Sequence, residues 1–326
     1  MNTLRASKLA FERVAVVYNP SGRSMAEAAV DELREHGFAA DIFGTVAGGI
    51  EPNVDMLASN LEPGDVVGTV CGDGTFGTIV SAMRQPEVIE ATGGPLPICP
   101  LEGGNANDVR QSMHGRVRRA PSWVLQNGIV VPAHTLERTV VHEDEVAVDE
   151  AVSYFGFGKT GEASRRLASP EYRLGTFVVK DLKLGFASLF GDGAFDLVDN
   201  DGSEKRLGDL TVVKGRVMAK IGKFGVRHFE KEMIVAKTKP NPVSSTLGWA
   251  AIIGGLPYGK RTAQYGFTVL SPVLSHRDGE PPDLLPAGST VDVRVADDPY
   301  LLVTTRRSGR RVLDLTLEAN TSTDVI

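Results

Sequence analysis

The 326-residue sequence predicts an α/β domain followed by a mostly β domain. Two observations carry that prediction. Short apolar runs alternate with amphipathic helical stripes up to about residue 120, and beyond it helical stripes become rare while alternating β-rich runs multiply. A third observation places the chemistry: in the first half, three turns rich in Gly or Asn directly follow apolar runs.

The first strand is VAVVY, residues 14–18, ended by the turn cluster NPSGR. Ala26, Ala29, Val30 and Leu33 follow at i, i+3, i+4 and i+7 and predict a helix that Gly37 is placed to stop. FAADIF supplies a second strand, residues 54–61 a short helix, and VVGTV a third strand. Phe76, Ile79, Val80 and Met83 form the apolar stripe of the next helix. LPICPL gives a fourth strand, EGGNAND a loop and VRQSM a short helix. This alternation makes a parallel, doubly wound sheet, whose ligands bind beyond the carboxyl ends of the strands. NPSGR, CGDGT and EGGNAND are therefore expected along one edge, around one ligand.

CGDGT, Cys71–Thr75, puts a carboxylate between two glycines where a helix begins. Free amides and the helix dipole favour an anion there, so a Gly-rich turn invites phosphate and Asp73 repels it. The residue makes sense if it faces a cation, or if it takes a proton from a hydroxyl that attacks a phosphoryl group. In the second half, LTVVKGRVMA, STVDVRV and YLLVTT predict strands, and GTFVVKDLKLGFASLF, residues 175–190, is the further helical stripe. RVRRA and Pro121 mark the boundary, giving domains 1–120 and 121–305.

Composition narrows the setting. A net charge of −6 with both signs dispersed provides no basic field for nucleic acid, so no nucleic-acid partner is expected. Two cysteines, Cys71 and Cys99, make neither a disulfide framework nor a metal cluster and fit a reducing cytoplasm; a redox pair is the minor reading. The six histidines lack ligand spacing, so no zinc site is expected. MNTLRASKLAFERVAVV has no long apolar stretch of the secretory kind. The uncharged run from Asn241 to Gly259 carries two prolines and four glycines and makes a poor spanning helix. It reads as a buried strand and loop, with a lipid-touching loop led by Trp249, Ile252, Ile253 and Leu256 as the alternative. FGFGKTGE, residues 155–162, mimics a phosphate loop, but the required first glycine is Ser153 and no clear helical stripe follows.

NPSGR, CGDGT and PLEGGNAND together resemble the diacylglycerol kinase catalytic-domain family, which includes sphingosine kinases and bacterial lipid kinases and is related to NAD kinases and phosphofructokinases. The family's Asn-Pro-x-x-Gly turn falls on Asn19 to Gly22, and its Gly-Gly-Asp-Gly-Thr loop on Cys71 to Thr75. Its Gly-Thr-Gly-Asn-Asp loop falls on Gly104, Asn105, Ala106, Asn107 and Asp108, and its late Asp-Gly-Glu on Asp278, Gly279 and Glu280.

The resemblance implies a Rossmann-like nucleotide domain, a β-sandwich-like lipid domain, an active site in the cleft between them and a tail returning to the first domain. In the tail, about 306–326, Leu313, Leu315 and Leu317 alternate with polar residues as a returning strand requires. The implied activity is ATP-dependent and uses Mg²⁺: transfer of the γ-phosphoryl group to a hydroxyl of a lipid such as diacylglycerol, a step of phospholipid metabolism. Asn19, Pro20, Ser21, Gly22 and Arg23, with Gly72, Asp73, Gly74 and Thr75, would hold the nucleotide, and Thr45 would be a further contact. Gly104, Asn105, Asn107, Asp108 and Asp278 would complete the binding site. Asp73 would orient Mg²⁺ and phosphates or act as base; Glu280 is the other base candidate and the preferred one.

The pattern also departs from the family's. Cys71 replaces the first glycine, Gly77 and Thr78 replace an Asn-Glu pair, and Asn105 and Ala106 replace Thr and Gly. The acidic segment that organises magnesium has no counterpart, since GDGAFDLVDNDG, residues 191–202, lies too early. Two rival readings therefore stand: an NAD kinase-like small-molecule kinase, and a catalytically inactive nucleotide- or lipid-binding protein of the same fold. The expected partners are a lipid substrate and a peripheral anionic membrane surface touched by RRSGRR, Arg306 to Arg311, with a homodimer left open.

Overall fold

The computed structural model describes residues 13–102, 108–115, 117–168, 193–214, 230–254, 258–278, 280 and 282–305. They divide into two units. One comprises the described residues up to Ala133 and from Asp298 onward; the other is His134–Asp297.

The first unit is built on β1 (Arg13–Tyr18), β2 (Ala39–Gly44), β3 (Val66–Val70), β4 (Ile98–Pro100), β5 (Ile129–Ala133) and, last in the chain, β18 (Tyr300–Thr304). Their order is β2-β1-β3-β4-β18-β5, parallel throughout except that β5 runs against β18. Tyr18 pairs with both Gly44 and Val70, so three strands end level and their following loops share one edge. The helices are α1 (Arg23–Glu35), α2 (Ile50–Asn60), α3 (Asp73–Met83), α4 (Pro86–Thr92), α5 (Asp108–His114) and α6 (Pro121–Asn127). The predicted stripes of α1 and α3 are buried as the helical period requires: Ala26, Ala29, Val30 and Leu33 in one, Phe76, Ile79, Val80 and Met83 in the other. Sequence reading did not anticipate α4.

YLLVTT was expected in the β-rich domain, and the structure corrects this. The strand lies between β4 and β5, with Leu302 and Val303 both fully buried, because an interior strand of a helix-covered parallel sheet needs apolar side chains on both faces. The Thr304 hydroxyl fastens it by donating to the Met113 carbonyl at 2.9 Å. The unit boundaries thus fall at 133/134 and 297/298 rather than at 120/121 and 305/306. The tail 306–326, with its leucines and RRSGRR, lies outside the described residues, as do residues 175–190.

The second unit packs two antiparallel sheets. One has the order β10 (Glu204–Leu207), β9 (Phe195–Asp199), β14 (Gln264–Val269), β17 (Thr290–Val295), β6 (Leu136–His142) and β7 (Glu145–Ala151). The other has the order β13 (Lys260–Thr262), β12 (Met233–Thr238), β11 (Asp209–Val213), β8 (Tyr154–Gly158), β15 (Val273–Arg277) and β16 (Asp283–Leu285). Both contribute to one apolar core, where Phe157 of β8 meets Phe267 of β14 edge-on at 5.1 Å. The sheets are the expected sandwich.

Two helices belong to this unit, α7 (Lys159–Ala168) and α8 (Pro242–Gly254). The second corrects the strand-and-loop reading of residues 241–259. Asn241 accepts the Ser244 amide on its side chain at 2.7 Å and Pro242 takes the first helical position, so the start is capped despite an uncharged sequence. Among the described residues no helix is long and apolar enough to cross a membrane.

Candidate active site

The level strand ends of the first unit bring two predicted loops into direct contact. The Asn19 amide N–H donates to the Val70 carbonyl at 3.3 Å, which draws the end of β1 onto the end of β3. Its side chain works in two directions. Asn19 Nδ2 donates to Thr75 Oγ1 at 3.1 Å, and Asn19 Oδ1 accepts the Ser21 amide at 3.1 Å and the Ser21 hydroxyl at 2.9 Å. Asn19 thus closes the turn Pro20–Gly22 as an Asx cap while clasping the loop before α3. Gly22 sits so close to β3 that a Cβ there would meet the Val70 carbonyl oxygen at 3.1 Å. Thr45 joins the same edge through its amide, which donates to the Tyr18 carbonyl at 2.8 Å. Arg23 turns outward, paired with Glu27 on the exposed side of α1.

Asp73 occupies the first turn of α3, where the helix dipole favours its charge. The residue is buried, and its Oδ1 accepts the Val109 amide at 3.2 Å, tying α3 to the first turn of α5. The first bond of α3 is Phe76 N–H to the Gly72 carbonyl at 2.9 Å, so the helix itself does not satisfy the Gly74 and Thr75 amides before it. A Cβ on Gly72 would meet nothing within 4 Å, so this loop is open to an approaching group. Of the third loop, Gly104, Asn105, Ala106 and Asn107 lie outside the described residues; Asp108 opens α5, and its side chain is outside the description too. Cys71 and Cys99 are free and buried. Burial raises both thiols, with Asp73 adding to the effect at Cys71, which removes the thiolate a redox pair requires.

In the second unit the Asp-Gly-Glu segment is held from three sides. Asp278, at a left-handed φ of 40°, is buried, and its carboxylate accepts three consecutive amides, those of Val152, Ser153 (2.9 Å) and Tyr154 (3.0 Å). Expected as a nucleotide contact, Asp278 is placed by these three backbone donors where it anchors the turn. The Glu280 amide donates to the Arg277 carbonyl at 2.7 Å, and its carbonyl accepts the Ser164 hydroxyl of α7 at 2.9 Å. Among the described residues the Glu280 carboxylate has no partner. Neither the Val109 amide nor Ser164 was singled out in the sequence, for both act through the backbone and a short hydroxyl, which leave no pattern in it.

Residues 13–131 match the family model of the diacylglycerol kinase catalytic domain. That family implies a kinase, so the resemblance read from the loops holds for this span. The fold extends to solved structures over nearly the whole chain. A diacylglycerol kinase from Bacillus anthracis str. Sterne, 14% identical, aligns with a TM-score of 0.60 over 92% of this chain and 98% of its own. A second structure from the same organism reaches 0.64 over 92% and 99%, again at 14% identity. An NAD kinase from Archaeoglobus fulgidus in complex with ATP, 12% identical, reaches 0.48 over 93% and 97%. No curated protein matches the sequence. At 14% identity the two Bacillus anthracis structures share the fold with this chain.

Two further segments acquire a physical explanation beside this diacylglycerol kinase-like domain. GKT is followed by a helix after all, α7, yet its phosphate-loop reading fails for another reason. The Thr160 amide and hydroxyl both donate to Asp209 Oδ1, at 2.9 and 2.8 Å, and the Thr211 hydroxyl donates to Oδ2 at 3.0 Å. An internal carboxylate thus stands where phosphate would. Gly158 permits this strand-to-helix turn: its φ is 86°, and a Cβ would lie 2.8 Å from the Gly193 and Gly208 carbonyl oxygens. In GDGAFDLVDNDG, Asp199 bonds Lys205, Lys237 and Tyr265, and Asp201 bonds Ser203 and Lys205, so these aspartates build a turn and not a magnesium site. The described residues assemble no group of three His, Cys, Asp or Glu side chains able to hold a metal ion.

Proposed function

We propose that the chain is an ATP-dependent lipid kinase that phosphorylates a hydroxyl of an apolar alcohol of the diacylglycerol type. The observation that carries this reading is the Asn19–Thr75 hydrogen bond, which joins the Asn-Pro and Gly-Asp-Gly-Thr turns into one structure inside the span matched by the kinase family. Phosphoryl transfer asks a protein mainly for positioning and charge stabilisation, and two clasped loops with amides that α3 itself leaves unsatisfied meet that need.

The residues fit ATP. Gly72 leaves open space above its α carbon, the Gly74 and Thr75 amides point from the start of α3, and Asn19–Gly22 provides the adjoining turn. Bound ATP supplies the phosphoryl group. For magnesium, Asp73 is the ligand this loop offers; Mg²⁺ keeps several waters and is commonly held by one or two carboxylates plus phosphate oxygens, so a single aspartate suffices. Held by the Val109 amide and the α3 dipole, Asp73 is fixed in place, which suits a charge that orients. Glu280 has a pinned backbone and a carboxylate with no partner among the described residues, which suits a group that receives the hydroxyl proton.

Calorimetric titration with Mg·ATP, followed by ATP turnover with diacylglycerol, other apolar alcohols and NAD, tests the proposal. Binding with turnover stimulated by an apolar alcohol is expected. Stimulation by NAD alone would establish the small-molecule kinase, and binding without turnover on any acceptor the inactive binding protein.

A further inference from the structure

We propose that the second unit carries a phosphate-binding pocket, built from none of the residues of the Asn-Pro and Gly-Asp-Gly-Thr loops, formed where the β9–β10 turn meets β12, β13 and β14. The recess measures about 400 Å³ and is lined by Lys205, Lys237 and Lys260 together with Asp199, Asp201 and Tyr265. Three ammonium groups therefore face two carboxylates, in a chain whose net charge is negative.

The layering of these charges decides which sign a ligand meets. The Asp199 side chain is 1% exposed, whereas those of Lys205 and Lys237 are 35% and 29% exposed. The carboxylate is the floor and the ammoniums stand between it and solvent. Both lysines converge on the same oxygen, Asp199 Oδ2, and the Tyr265 hydroxyl donates to Oδ1 at 2.8 Å. Asp199 fixes both cations from below and Asp201, 59% exposed, accepts Lys205 at 3.3 Å from the rim, so three lysines against two carboxylates leave one positive charge over. Lys237 is fixed further by the Tyr265 ring, 4.6 Å from its ammonium. Burial works to raise the Asp199 carboxyl, but the two lysines and Tyr265 outweigh it and hold it well below the usual carboxylate range. The anchor therefore stays ionised. Lys260, exposed at the start of β13, has no partner among the described residues and completes the set.

Ammonium groups already held in place bind an anion without the entropy cost of ordering free lysine chains. Lysine acts on phosphate as a point charge with several donors, and each ammonium here keeps N–H groups beyond those its aspartate accepts. A phosphate ester fits this chemistry, either as the headgroup of an anionic lipid or as a soluble molecule. The inference is independent of where ATP binds.

The test is calorimetric titration of the full chain with inorganic phosphate at constant ionic strength, with chloride as control. With each surface lysine worth about 1 kcal/mol, Lys260→Gln should weaken phosphate about fivefold, and Lys205→Gln with Lys260→Gln about 25-fold. Both leave the Lys237–Asp199 pair in place, and an unchanged thermal midpoint for Lys260→Gln verifies folding. Sedimentation with phosphatidylcholine vesicles, with and without phosphatidic acid, identifies the source. Phosphatidic acid-dependent sedimentation lost in the double variant supports a lipid headgroup; no sedimentation with phosphate binding retained supports a soluble ester. No saturable phosphate binding by the wild type, or binding that both variants retain, would overturn the proposal.

Discussion

Asp73, Asp278 and Asp209 are buried carboxylates that accept backbone amides, whereas the Glu280 carboxylate has no partner among the described residues; this contrast sets the predictions at the level of single residues. Glu280→Gln should cut turnover by ~10² to 10⁴ while leaving Mg·ATP affinity intact, because it removes a proton acceptor and little else. Asp73→Asn should impair turnover and Mg·ATP binding together. Paired kinetic and calorimetric measurements separate these outcomes, and a Glu280→Gln enzyme at full turnover would remove it from the base role. Asn19→Ala deletes the clasp to Thr75 and should weaken ATP about fivefold, the effect of one net hydrogen bond. The sequence singled these residues out by their types and spacing. It did not disclose their surroundings: that Asp278 anchors its turn is seen only in the nest of Val152, Ser153 and Tyr154 amides.

At the level of elements, α7 and its carboxylate cap give a pH prediction. Burial raises the Asp209 carboxyl to about 6, against the pull of Thr160, Thr211 and Lys159. A carboxyl that holds its proton more tightly in the folded chain contributes stability that is complete below its ordinary value and lost as pH rises through the folded one. The contribution is about 3 kcal/mol, lost between about pH 4 and about pH 6. Asp209→Asn keeps an oxygen for the Thr160 donors and removes the titration. In urea unfolding, the wild type should lose stability relative to the variant across that window and be the weaker of the two at neutral pH; parallel profiles would show that Asp209 ionises normally. The elements themselves were legible where period and burial agree, as in β1, α1, β3 and α3. They were illegible in α8, whose uncharged, glycine-containing sequence has no polar face, and where a cap supplied by Asn241 outweighs weak propensity.

For the whole molecule, the chain builds its first sheet, leaves to make the sandwich and comes back with β18. That return was anticipated from the family resemblance but assigned to leucines after residue 306, because YLLVTT has the same alternating texture as the sandwich strands. A chain ending before Tyr300 should lose the first unit, since β4 and β5 would face a gap in the sheet. Limited proteolysis should then digest residues 13–133 and spare 134–297, and equal protection of both would contradict the shared sheet. The central claim is phosphoryl transfer to an apolar alcohol, and the most direct measurement follows the phosphate itself. The wild-type chain is given ATP labelled in the γ-phosphoryl group and a neutral lipid extract, and the products are partitioned between organic and aqueous phases. Label recovered in an organic-soluble phosphate monoester, and absent with Asp73→Asn and Glu280→Gln, is the predicted result; label confined to the aqueous phase for the wild type would contradict it.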